Sequence, residues 1–206
     1  MKENILTGHG PLCARYEHHP QKGFRSEGDS PAFMHQIDVG LRSLEHPGYG
    51  GWGGRFVKES PSKNTWRGAR DDGDLGKPIW RWAEAFQNDW AARADWCVKS
   101  VADANHPPTA KVAGPLDRTV KPGEKVTLSA EGSTDPDGDK LTYRWWQYDD
   151  VDTATKIKIA GATARSDAGF VAPNEPGKTI HVILEVTDDG DPPLTRYQRM
   201  IFTIAG

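Results

Sequence analysis

Apolar and polar residues alternate at four places in the second half of the chain. Val126, Leu128 and Ala130 share one face of Lys125–Glu131, and Leu141, Tyr143 and Trp145 share one face of Leu141–Tyr148. Ile180, Val182, Leu184 and Val186 do the same in Thr179–Thr187, as do Met200, Phe202 and Ile204 in Gln198–Ile204. A period of two with one apolar face marks a half-buried antiparallel strand. Between the runs stand Lys121-Pro122-Gly123-Glu124, Asp135-Pro136-Asp137-Gly138-Asp139, Asn174-Glu175-Pro176-Gly177 and Asp188-Asp189-Gly190-Asp191-Pro192-Pro193. Each is built from residues that favour turns. About seven short strands in about a hundred residues predict a two-sheet, immunoglobulin-like β-sandwich.

Upstream the period changes. Ile79, Ala83, Phe86, Trp90, Ala94, Cys97 and Val101 recur at spacings of three and four, which predicts an amphipathic helix over residues 79–103. Pro78 stands at its start, where proline is tolerated, and Asn105-His106-Pro107-Pro108 ends it. The domain boundary falls there, with residues 1–105 on one side and the sandwich, 106–206, on the other. Residues 1–78 are rich in Gly, Pro, His and Trp and show no clear period.

Composition narrows the partners. Lys and Arg number 26 against 29 Asp and Glu, a net charge of −3, which offers no general attraction to a phosphate backbone and argues against nucleic acid. No stretch is long and apolar enough to span a membrane. The two cysteines, Cys13 and Cys97, are too few for a disulfide framework. Cys97 sits on the apolar stripe and is expected as a buried thiol, with a Cys13–Cys97 bridge as the alternative. Met1–Thr7 is no signal peptide, because no apolar segment follows its charges. Eight Trp residues are the compositional feature that most suggests a binding surface.

The stretch Gly132-Ser133-Thr134-Asp135-Pro136-Asp137-Gly138-Asp139-Lys140-Leu141-Thr142-Tyr143-Arg144-Trp145 resembles the polycystic-kidney-disease (PKD) and cadherin-like sandwich domains. The first half adds Glu27-Gly28-Asp29-Ser30-Pro31-Ala32-Phe33, Asp38-Val39-Gly40-Leu41 and Gly50-Gly51-Trp52-Gly53-Gly54-Arg55. It also adds Asn88-Asp89-Trp90-Ala91-Ala92-Arg93-Ala94-Asp95-Trp96-Cys97 and Ala104-Asn105-His106-Pro107-Pro108. Together these resemble bacterial cellulose-binding proteins whose N-terminal domain is similar to nucleoside hydrolases and whose C-terminal domain is an Ig-like sandwich. The resemblance implies a mostly β chain: the sandwich, preceded by the amphipathic helix and the tail of an α/β nucleoside-hydrolase-like domain. It implies a parent protein with a longer N-terminal domain, placed outside the cytoplasm, in which Met1 is an artificial or alternative start. The aspartate cluster through which nucleoside hydrolases hold calcium has no counterpart here. Glu27 and Asp29 are the candidate catalytic residues as carboxylates near Gly and Trp, and Glu27-Gly28-Asp29-Ser30-Pro31 loosely resembles the late His-Asp-Pro segment that supplies one calcium ligand in those enzymes. A helix-cap or turn role for Asp29 is the competing reading.

Three further groups are candidate sites. Trp146 and Tyr148 face away from Trp145, so they either offer flat rings to a sugar or pack against another part of the chain. Trp52 and Arg55, in a loop of four glycines, are either ligand contacts or a tight structural turn. Asp135, Asp137 and Asp139, joined at the same end of the sandwich by Asp188, Asp189 and Asp191, form either a Ca2+ site or a plain acidic turn.

The expected function is polysaccharide binding, with a β-glucan such as cellulose as ligand and exposed aromatics as contacts. A metal-dependent glycoside or nucleoside hydrolase, in which Asp71, Asp72 and Asp74 are further carboxylates to consider, is the second reading. A structural adhesion module is the third.

Overall fold

The computed structural model of the chain describes residues 33–206, together with the backbone of two paired strands, β1 (His18–His19) and β2 (Gly23–Phe24). Glu27, Asp29 and Cys13 lie outside the described residues. Two compact units emerge. One holds the described residues up to Asp38, Ser43–Pro107 and Asp189–Leu194; the other holds Val39–Arg42, Pro108–Asp188 and Thr195–Gly206. The sequence reading placed one cut near residue 105. It did not foresee that a short segment from each half of the chain belongs to the unit built mostly from the other half.

In the first unit a hairpin pairs β3 (Phe56–Lys58) with β4 (Trp66–Gly68), with Phe56 opposite Gly68 and Lys58 opposite Trp66. Two helices follow, α1 (Lys77–Trp80) and α2 (Ala83–Trp96). The expected continuous helix over 79–103 is therefore interrupted. Pro78 starts α1, Trp82 leaves the helical conformation, and its indole N–H donates to the Pro78 carbonyl at 3.1 Å. After Trp96 only a short 3-10 turn, Val101–Asp103, follows.

The buried face of α2 also differs from the expectation. It carries Asn88, Asp89, Ala91, Ala92 and Asp95, while Trp90 is exposed and Val101, beyond the helix, is 79% exposed. Cys97, expected inside, is an exposed free thiol. The physical reason is specific pairing. Small alanines permit close approach, and each buried polar group has a partner, so its desolvation is offset. The Asn88 amide donates to the Pro193 carbonyl at 3.0 Å, and the Asn105 amide to the Pro192 carbonyl at 2.8 Å. Asp89 pairs with Arg93 and Asp95 with Lys99 along the helix.

The second unit is the β-sandwich, an immunoglobulin-type fold. Its strands are β5 (Asp117–Val120), β6 (Lys125–Leu128), β7 (Thr142–Gln147), β8 (Ala168–Val171), β9 (Thr179–Thr187) and β10 (Thr195–Ile204). One sheet runs β5-β10-β9-β7; the other pairs β6 with β8. Val126, Leu128, Trp145, Phe170, Ile180, Val182, Leu184, Met200 and Phe202 form the core between them. Burying each large apolar side chain contributes about 1.5–3 kcal/mol. All four alternating runs of the sequence face this core.

Two features depart from the sequence pattern. β5 pairs with β10 in parallel, Asp117 opposite Ile201, where only antiparallel neighbours were expected. The second face of the larger sheet is also buried: His181, Ile183, Tyr197 and Arg199 have 4% exposure or less. Part of the reason lies in the Val39–Arg42 segment. The N–H groups of Tyr197 and Arg199 donate to the carbonyls of Val39 and Gly40 at 2.9 and 3.0 Å, so this segment extends the sheet beside β10.

Candidate functional site

The glycine-tryptophan loop is internal scaffolding. Gly51 and Gly54 exchange backbone hydrogen bonds of 3.1 and 2.8 Å, closing a tight turn. Gly54 has φ +98°, which favours glycine. A Cβ at Gly53 would lie 2.5 Å from the His35 ring, so that ring takes the space a side chain would need. Trp52 is 2% exposed and meets Phe86 edge-on, with centroids 6.4 Å apart. Arg55 donates to Asp71 through Nε at 2.8 Å, and Arg81 approaches the other carboxylate oxygen at 2.8 Å. Asp71 is fully buried. Trp52 and Arg55, read either as ligand contacts or as a tight structural turn, are turned inward as in the second reading, because the loop closes around them.

The outward aromatic pair is corrected in the same way. Tyr148 is fully buried, with the Arg199 guanidinium 5.3 Å above its ring. Trp146 is half-buried beside it, at 5.4 Å between centroids. The Trp146 indole N–H donates to Glu185 at 3.0 Å, and Arg144 grips the same carboxylate through two bonds of 2.6 and 3.0 Å. Of the pair, Trp146 alone keeps part of its ring open.

Behind Tyr148 lies a polar network that the sequence reading missed. Arg199 donates through Nε to the Leu41 carbonyl at 2.7 Å, and its Nη1 lies 3.0 Å from His181 Nδ1. A guanidinium can only donate, so Nδ1 is the unprotonated, accepting nitrogen of that ring. The His181 backbone N–H and the Gln147 amide donate to the two oxygens of Asp152, at 2.5 and 2.6 Å. Burial, outweighing these hydrogen bonds, pushes the Asp152 carboxyl up to about 7. In the sequence His181 and Arg199 occupy the polar half of an alternation, the usual mark of a solvated face. No local signal distinguishes them from exposed residues.

The acidic loop brings Asp135, Asp137 and Asp139 together, with one carboxylate oxygen of each within 4.8 Å of the others. Asp188 and Asp189 are not in that group. Asp188 is buried, and Asp189 belongs to the other unit. Asp135 Oδ1 accepts from the backbone N–H groups of Asp137 and Asp139 at 2.9 and 3.1 Å, while its Oδ2 is sheltered and takes no hydrogen bond. The first oxygen closes the turn by itself. Three monodentate carboxylates supply fewer than the six to eight oxygens calcium takes, so an ion there needs water or backbone ligands as well.

The most open indoles lie elsewhere, in the first unit. Trp66 is 36% exposed, Trp80 54% and Trp90 38%. Trp66 and Gly68 project to the same face of β4, two residues apart. A Cβ at Gly68 would meet Leu75 Cδ1 at 3.3 Å, which places the half-exposed Leu75 on that face too. A Cβ at Gly76 would meet Trp80 Cδ1 at 3.2 Å. The Trp80 N–H donates to Asp74 Oδ2 at 3.1 Å, and Asp74 Oδ1 accepts from the Gly76 N–H at 2.7 Å. Those two bonds, the backbone one foremost, hold the Asp74 carboxyl below its ordinary value. Trp66 and Trp80 were passed over in the sequence. The glycines at 68, 73 and 76 between them were the available signal.

The fold defines a chain with an immunoglobulin-like β-sandwich and a glycine-rich helical unit. Residues 125–204 match the family model of the cellulose-binding protein Sde0182, C-terminal domain, and residues 1–56 match that of the cellulose-binding Sde182, nucleoside hydrolase-like domain. The two models describe two domains of one protein type, and each matches part of this chain. A solved nucleoside hydrolase-related hypothetical protein from Saccharophagus degradans, associated with carbohydrate metabolism, is 30% identical with a TM-score of 0.79. That match covers 98% of this chain and 53% of the other, so this chain spans about half the relative's length. The PKD domain from KIAA 1837 protein is 17% identical over 48% of this chain and 90% of its own, with a TM-score of 0.34. Mouse clustered PcdhgC3 EC1-3 is 18% identical over 52% of this chain and 35% of its own, with a TM-score of 0.29. Curated proteins returned no match. No helix among the described residues is long and apolar enough to cross a membrane.

Proposed function

We propose that this chain binds a β-linked glucan such as cellulose through solvent-facing aromatic rings, as part of an extracytoplasmic protein. The observation that supports the reading is the match of both halves of the chain to the two domains of one cellulose-binding family. The described carboxylates near Gly and Trp favour binding over hydrolysis, because their oxygens are engaged in structure. Asp71 is held by two guanidinium groups, Asp72 pairs with Lys77, and Asp74 holds Trp80 and Gly76. A glycosidase needs two carboxyl groups facing one scissile bond across a set gap.

The test is depletion of the chain from solution by microcrystalline cellulose, with soluble cello-oligosaccharide as competitor. Depletion that the competitor reverses supports the reading. No depletion overturns it. Release of reducing sugar from the same suspension moves the hydrolase reading to the front.

A further inference from the structure

We propose that the glucan contact is the strip formed by Trp66, Leu75 and Trp80, an inference that rests on the function proposed above. Three of the exposed large apolar side chains of the first unit fall within fifteen residues of sequence and on connected ground: Trp66 at 36%, Leu75 at 54% and Trp80 at 54%. Gly68 joins the first two, because Leu75 lies over the place its Cβ would occupy. Gly76 brings Trp80 alongside, because its missing Cβ leaves room for the indole edge at 3.2 Å. Exposed large rings held together in this way are unusual on a protein surface that meets only water.

The rim specifies the chemistry of the occupant. An indole has an apolar face and one donor at its edge. In Trp80 that donor is already engaged by Asp74, so the edge is satisfied and the ring face is left for the ligand. The same bond, with Asp74 fixed to the Gly76 N–H, pins the ring and lowers the ordering cost of binding. Around the strip stand charged and polar groups: Asp72 with Lys77, Asp74, and Arg70, which donates to the Gly73 carbonyl at 3.0 Å. His46 meets Trp66 edge-on at 5.8 Å. Flat apolar faces with donors and acceptors close by suit a pyranose, whose axial C–H bonds stack while its equatorial hydroxyls reach sideways.

The test uses the full chain and microcrystalline cellulose. Trp80→Ala and Trp66→Ala are compared with wild type and with Trp90→Ala, which removes an exposed indole on α2 outside the strip. All three substituted side chains are open enough that melting curves should coincide, and that is checked first. The expected result is a tenfold or greater loss of partitioning for Trp80→Ala and Trp66→Ala with Trp90→Ala unchanged. If wild type binds and both strip variants bind equally well, the strip is overturned and the binding function stands. If wild type does not bind, the function falls and the strip with it. If sedimentation shows a wild-type dimer that Trp80→Ala converts to monomer while cellulose binding is kept, the occupant is a second copy and the proposal is overturned.

Discussion

The guanidinium of Arg199 donates to the carbonyl of Leu41 at 2.7 Å, across 158 positions of sequence. Arg199 is fully buried, and it also serves His181 and lies over Tyr148. A buried charge is costly unless its donors are used. Here they tie a segment of the first half of the chain to the central strand β10.

Replacing Arg199 by Met keeps the volume roughly and removes the donors. The Leu41 carbonyl and His181 Nδ1 then lose their guanidinium partner in a buried site. At about 1–3 kcal/mol for each of the two orphaned groups, the loss is about 2–6 kcal/mol. Urea denaturation reads this directly. Arg199→Lys is expected to recover little, because an ammonium lacks the planar fork that reaches both acceptors.

Gly40 is the backbone counterpart of that tie. It has φ +88°, and a Cβ built on it would lie 1.8 Å from the Tyr197 carbonyl oxygen. Neither the angle nor the contact can be relieved while Gly40 pairs with β10. Gly40→Ala is expected to cost about 2–4 kcal/mol, in the range of substitutions that strain a special backbone position. A midpoint within error of wild type would show that the segment does not pair with β10 in solution.

Asp152 makes stability depend on pH. Its carboxyl is raised by burial from 3.8 to about 7, so the folded chain holds a proton that the unfolded chain has released. The contribution is fully present below the unfolded value and is lost as pH rises through the folded one. Asp74, Asp117 and Glu175 are shifted downward and act in the opposite sense at lower pH. The difference between wild type and Asp152→Asn therefore isolates the effect. The melting temperature of wild type should fall relative to that of the variant as pH goes from about 4 to about 7. Parallel curves would exclude Asp152 as the cause.

Asp71 neutralises two arginines in the first unit. Asp71→Asn leaves Arg55 and Arg81 without their carboxylate in a buried site, at a cost of about 3 kcal/mol or more. Near-UV circular dichroism should report the loosening of Trp52, which sits in the loop that Arg55 closes. An unchanged midpoint would mean that water reaches these guanidinium groups.

What the sequence determined is the local and periodic part. The run Thr179–Thr187 is the strand β9 with the same limits, and Ile180, Val182, Leu184 and Val186 all face the core. Alternation is enough to predict this, because a strand puts every second residue on one side whatever lies beyond it. Trp145 and Trp146 were likewise assigned to opposite faces from spacing alone. Tertiary structure decided whether the other face meets water. The polar spacing of His181 and Arg199 reads as solvated, yet both are buried and each has a partner from a distant segment. Tyr148 and Trp52 were legible as aromatic anchors, but the choice between inward packing and ligand contact stayed open, because exposure depends on neighbours that no local window contains. The helix shows the same limit. Its period was readable, but Asn88 faces inward because the Pro193 carbonyl is there to accept its hydrogen bond, as the Pro192 carbonyl does for Asn105 beyond the helix.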